Sequence, residues 1–185
     1  MPDPPTPPTE VATHEFLQAI LESTADGILV VDGEGRTVYA NARFAEMWRI
    51  PRDQLAAGSD DKLLAFVLDQ LIDPEAFVAK VRELYQTSRE DLDTLDFKDG
   101  RVFERYSRPL LSGGDLAGRV WSFRDVTQQR RSEESVREAE SRYRTLVEHI
   151  PAVTYIEDLE GPATTLYMSP QAESLLGYTP AEFMA

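Results

Sequence analysis

The chain has 185 residues, 42% of them hydrophobic, a formal net charge of −14 and no cysteine. Its length and apolar content suit one ordinary domain and part of another, while its charge repels nucleic acid and anionic membrane. The lack of cysteine excludes disulfides, thiolate chemistry, Cys-ligated metals and a cysteinyl-flavin adduct, a composition that fits a cytoplasmic chain.

No apolar run approaches the ~20 residues that cross a bilayer, so no membrane contact is expected. Residues 1–12 open with "MPDPPTPPTE". Repeated proline removes backbone donors and favours extended chain, which predicts a disordered leader. Residues 13–23 predict an amphipathic helix with Phe16, Leu17, Ile20 and Leu21 on one face. "GILVVD" and "RTVYA" are strands joined by the turn "GEG", hence a hairpin. "NARFAEMW" starts a helix with Asn41 as its N-cap and Pro51 as its stop. "DDKLLAFVLDQLID" and "PEAFVAKVRELYQ" predict two more helices, the second opened by Pro74. "DLDTLDF" is a strand that turns at "KDG" and pairs with "RVFERYSRPLL". "SGGDLAG" reads as a long flexible turn before the last strand, "RVWSFRDV". Strands on both sides of a helical insertion predict an α+β fold, a five-stranded antiparallel sheet with helices on one face and a long helix after it.

The pattern repeats. The segment beginning at Leu21 aligns with one beginning at Val147, with Glu22 on Glu148, Asp32 on Asp158 and Gly35 on Gly161. After a short insertion, Tyr39 falls on Tyr167, Asn41 on Ser169 and Leu55 on Phe183. The second copy carries only the first two strands before Ala185, and is expected to be the start of a further domain in a longer protein.

"DGILVVDGEGRTVYANARFAEMW" resembles the opening of a PAS domain, and "DGRVFERYSRPL" resembles its central strands. "GRVWSFRDVTQQRR" resembles the last strand with its Asp-x-Thr exit motif. The resemblance implies a leader at 1–12, a PAS sensory domain at 13–127, a linker helix at 128–150 and a truncated second PAS domain at 151–185. It further implies a cytoplasmic sensor and dimerisation module without catalytic activity of its own. Such modules precede a histidine kinase, as in two-component systems, a cyclic-di-GMP cyclase or phosphodiesterase, or another PAS domain. The exit motif falls on Asp125 and Thr127, and the polar cap of the first core helix on Asn41. The alternative is a ligand-free structural dimerisation unit and spacer.

At that exit a strand meets a charged helix with no glycine or proline between them. Asp125 and Thr127 are expected to accept hydrogen bonds from the first free amides of the helix, making a stiff junction. In the helix, Glu133 precedes Arg137, Glu138 precedes Arg142 and Glu140 precedes Arg144 at pairing distance. Val136, Ala139, Tyr143, Leu146 and Ile150 follow a 3-4-3-4 spacing, a short seam for a parallel coiled coil in a homodimer.

Catalytic constellations are absent from the sequence pattern. The two histidines, His14 and His149, do not share metal-ligand spacing, and Asp32 and Asp125 read as turn acids and not as a dyad. Haem, which the resemblance associates with an axial His on the pocket helices, is not expected, with Met47 the one remote substitute ligand. A non-covalent flavin stacked on Trp48 or Trp121, or a small organic ligand, stays open. Phe66, Phe77, Tyr85, Phe103, Trp121 and Phe123 either line a cavity or fill a dry core. Around Tyr106 the central strand alternates, so one of Arg105 and Arg108 faces inward and needs an anionic ligand or a carboxylate such as Asp69 or Asp73.

Overall fold

The computed structural model describes residues 10–51, 60–158 and 164–183. The greater part of the expected leader (1–9) and the repeat positions Leu55 and Gly161 lie outside them. The chain divides into two units, Met1–Gln128 and Gln129–Ala185.

In the first unit, helix α1 (Glu10–Glu22) leads into the hairpin of β1 (Gly27–Asp32) and β2 (Thr37–Ala40). Helices α2 (Ala42–Met47), α3 (Asp60–Gln70) and α4 (Pro74–Tyr85) follow. Then come β3 (Asp91–Asp96), β4 (Val102–Ser112) and β5 (Asp115–Asp125). The five strands form one sheet in the order β2-β1-β5-β4-β3, and each neighbouring pair is antiparallel. β5 is therefore central, with Phe123 opposite Gly27 on one side and Arg105 on the other. Period-two alternation puts Phe103, Arg105, Ser107, Arg119, Trp121 and Phe123 inside, while Tyr106, Arg108 and Arg124 are exposed. The inner face meets Phe44, Trp48, Val67, Leu71, Phe77 and Leu84 from the helices in one core. Each Leu, Val or Phe buried there contributes on the order of 1.5–3 kcal/mol.

Three boundaries differ from expectation. The first core helix ends at Met47, ahead of Pro51, because Arg49 adopts φ 54°. The Ile50 amide then reaches back to the Ala45 carbonyl at 2.8 Å and the Arg49 amide to Glu46 at 3.1 Å, a Schellman closure. Helix α3 stops at Gln70 because the next residues join the sheet edge, where the Ile72 amide donates to Asp96 and Leu71 bridges Phe97. The expected long turn "SGGDLAG" is only Gly113 and Gly114, at φ 63° and 99°, and the strands run on to either side of it. Two positive-φ residues match the right-handed twist of a tight hairpin, so no longer loop is needed.

Helix α5 (Thr127–His149) leaves the sheet directly. None of its three expected Glu–Arg pairs closes among the described residues; Glu133 accepts from Gln129 instead, at 2.9 Å. Fully hydrated side chains gain little from such pairing. No helix of the described residues is long and apolar enough to cross a membrane.

The second unit contains the hairpin of β6 (Tyr155–Asp158) and β7 (Thr164–Met168), then α6 (Gln171–Leu176) and α7 (Pro180–Phe183). The repeat is visible at its polar hinge. Asn41 accepts from the Ile28 amide and gives its own amide to the Ile28 carbonyl. Ser169 does the same with Thr154, at 3.0 and 2.8 Å. Tyr155, Leu166, Leu175 and Leu176 are exposed.

Candidate ligand cavity and signal junction

A cavity of about 250 Å³ lies between the inner face of the sheet and helices α2, α3 and α4. Of the residues expected there, Trp48, Phe77, Tyr85, Trp121 and Phe123 line it. Leu29, Val31, Phe44, Val67 and Val81 also line it and carried no distinguishing signal in the sequence. The other candidates lie elsewhere. Phe66 is half-buried beside the core. Phe103 is fully buried behind Trp48, edge-on at 5.9 Å. Tyr106 is on the outer face, where its hydroxyl donates to Glu90. Met47 is buried but does not line the cavity.

Trp48 is the best-anchored wall. Five phenylalanine rings surround it, Phe97 the nearest at 5.0 Å. Gln70 donates to its carbonyl at 2.8 Å. Arg101 donates both to the Met47 carbonyl and to Gln70 Oε1, with its guanidinium 4.4 Å over the Phe97 ring. The indole N–H has no hydrogen-bond partner among the described residues.

Arg105 is the arginine that faces inward, 1% exposed, and Arg108 faces outward and pairs with Glu90 at 3.0 Å. The partner of Arg105 is Asp93, not Asp69 or Asp73: Nε donates to it at 2.8 Å and Nη2 donates to its other oxygen. The reason is register, because Asp93 sits directly opposite Arg105 across β3 and β4. The Arg105 guanidinium also stacks 4.7 Å from the Phe77 ring.

A second buried cation, Arg119, was not singled out in the sequence. Nη1 donates to the Arg89 carbonyl and Ser107 Oγ, and Nη2 to the Leu84 and Thr87 carbonyls, none of them a carboxylate. It thus caps the C-terminal end of α4, where the helix dipole favours a cation, while burial lowers its pKa.

Asn41 caps α2 through the Phe44 amide at 2.8 Å. Its Nδ2 donates to the Leu21 and Asp26 carbonyls, both at 3.0 Å, which ties α1 and β1 to the same side chain.

At the junction, Asp125 Oδ1 accepts from the Thr127 amide at 2.9 Å. Thr127 departs from expectation. Its hydroxyl accepts from the Val102 amide at 2.9 Å and donates to the Val102 carbonyl at 3.4 Å, and so binds the start of β4, not the new helix. Val126 is buried between them, its amide on the same carbonyl. The linker seam residues Val136, Ala139, Tyr143, Leu146 and Ile150 are all exposed.

Asp32 and Asp125 are each engaged by their own turn. Asp32 accepts from the Arg36 and Glu34 amides, and these bonds, the Arg36 amide first, hold its pKa below the ordinary 3.8. Among the described residues no group of three His, Cys, Asp or Glu side chains is placed to hold a metal.

No curated protein matches the chain. Similar solved structures include the sensor region of a sensor histidine kinase, at 19% identity and TM-score 0.46 over 58% of this chain and 41% of that one. A PAS domain of an HTR-like protein from Haloarcula marismortui shares 18% identity at TM-score 0.45, over 61% and 91% of the two chains. A LOV protein from Rhodobacter sphaeroides shares 17% at TM-score 0.49, over 69% and 74%. A family model described as "PAS fold" matches residues 21–131, and one described as "PAS domain" matches residues 141–185. The first match alone takes in more than half of the chain, and the chain belongs to the PAS family.

Proposed function

We propose that residues 13–127 are a sensory and dimerisation module that reads a small organic ligand and passes the change along the linker helix, residues 128–150, to an output domain. Residues 151–185 are the beginning of a second PAS domain in this reading. The observation that carries it is continuity along one strand. Trp121 and Phe123 of β5 line the cavity, and the same strand runs through Asp125 and Val126 into α5 with no intervening loop. Thr127 ties that exit to β4, so a shift of the cavity wall reaches the helix start and is not absorbed by loose chain. The module works as a cytoplasmic homodimer, with the exposed Val136, Tyr143 and Leu146 facing their counterparts. The output is a histidine kinase or an enzyme of cyclic-di-GMP turnover.

The test is Thr127→Val in the full-length protein. Ligand affinity is expected to stay within about twofold while the ligand-dependent change in output is lost. An unchanged output response removes the junction from the signalling path. An empty cavity under all tested ligands, with dimerisation intact, favours the spacer.

A further inference from the structure

We propose that the cavity takes a neutral aromatic or heteroaromatic molecule of one or two rings; this deepens, and rests on, the reading of the cavity as a sensor pocket. Size sets the first bound. About 250 Å³ exceeds the roughly 150 Å³ apolar cavity that accepts benzene. It falls short of the roughly 300–1,000 Å³ that holds drug-sized ligands, so a porphyrin or a complete flavin nucleotide is too large for it. Shape sets the second. Phe44, Phe77, Tyr85, Trp121 and Phe123 present ring edges and faces, which favour a flat aromatic guest in tilted or offset contact.

Charge sets the third. Among the described residues, Glu34 is the only carboxylate in the lining, and it is exposed and engaged by Arg36 at 2.8 Å. The nearest buried cations are Arg105 and Arg119, whose guanidinium carbons lie 5.3 and 5.8 Å from the Trp121 ring centre. Neither lines the cavity. Asp93 holds Nε and Nη2 of the first, whose buried Nη1 has no hydrogen-bond partner among the described residues, and four oxygen acceptors hold the second. Among the described residues, a carboxylate or phosphate ligand therefore meets no cation at the cavity surface. An ammonium ligand, which an aromatic box would otherwise attract, finds the Trp121 π system already shared with two positive charges. A neutral ring has neither problem.

Indole, indole-3-acetate, tryptamine and flavin mononucleotide are the probes, titrated calorimetrically into the whole chain. Indole is expected to bind saturably at one site per chain, and each charged relative at least about tenfold more weakly, since burying an uncompensated charge is costly. Val81→Phe fills the α4 side of the cavity, and Thr37→Trp fills it from an exposed strand position that tolerates a large side chain. Both are expected to weaken indole binding at least about tenfold while circular dichroism stays native, in line with the loss of cavity volume. Indole binding that ignores both variants is adventitious and overturns the proposal. Binding of a charged probe or the flavin in preference to indole, when sensitive to Thr37→Trp, overturns the ligand class and leaves the sensor pocket standing. If no probe binds the native chain, the ligand class is overturned, while the pocket reading is decided separately by the ligand-dependent output of the full-length protein.

Discussion

At the scale of single residues, the polar hinge at Asn41 joins α1, β1 and α2 through one side chain. Its side chain satisfies the Ile28 and Phe44 amides and three acceptors from the end of α1 to the start of β1. Asn41→Ala leaves these buried groups without partners, and urea unfolding is expected to show a loss of about 2–4 kcal/mol. The corresponding Ser169 makes fewer bonds among the described residues, so Ser169→Ala is expected to cost about 1 kcal/mol. Arg49 predicts the opposite sign. It is a non-glycine residue at φ 54° in the position where helices favour glycine. Arg49→Gly is expected to stabilise by about 0.5–1 kcal/mol, because the left-handed strain outweighs its exposed pair with Asp99. Asp32 gives a pH dependence. Its folded pKa lies below 3.8, so its contribution is full above that value and is lost as the pH falls through the folded pKa. Asp32→Asn is expected to remove that part of the acid sensitivity of the β1–β2 hairpin, followed by NMR between neutral pH and pH 2. Asn41 was readable from the sequence because a polar residue before an apolar run is a cap signature. Arg49 was not, since nothing in its side chain announces a left-handed backbone.

At the scale of elements, the alternation of β4 showed that an arginine faces inward, and it does. The choice of partner depended on which β3 residue stands opposite, and strand register is set by turns and bulges that a single sequence does not specify. The same limit hid Arg119, whose four acceptors come from Ser107 on β4 and from the 84–89 segment, each remote from it in the chain. Arg119→Met keeps the apolar stem but strips the end of α4 of its cap. A loss on the order of 2–4 kcal/mol is expected, together with faster hydrogen exchange at residues 84–89 than in the rest of α4. The stretch "SGGDLAG" was readable as a turn, yet the hairpin is shorter than that reading suggested, because "DLAG" pairs as strand. Gly118 in that stretch is required by close approach. A Cβ there would stand 2.1 Å from the Val31 carbonyl oxygen on β1, which explains a glycine in the middle of a central strand.

At the scale of the whole molecule, two exposed apolar stripes compete as the contact surface of the proposed homodimer. One is the α5 seam, where Val136, Tyr143 and Leu146 are 59%, 55% and 61% exposed; the other is α1, where Phe16 and Leu17 are 66% and 54% exposed. The seam has the 3-4-3-4 spacing of a parallel coiled coil, although two heptads alone are too short to associate strongly. Leu146→Glu places a carboxylate against its symmetry mate if the seam is the interface, and burying that like-charged pair is expected to weaken the dimer at least about tenfold. Phe16→Glu tests α1 in the same way. Neither substitution touches the core beneath the sheet, so both variants are expected to keep the native circular dichroism spectrum. Sedimentation of the native chain and the two variants over a range of concentrations separates the surfaces. Loss of the dimer in Leu146→Glu alone assigns association to the linker. Loss in Phe16→Glu alone moves it to α1 and leaves the linker as a charged, solvated strut. Partial losses in both, adding in the double variant, mean that both stripes contribute to association, since independent contributions sum in free energy.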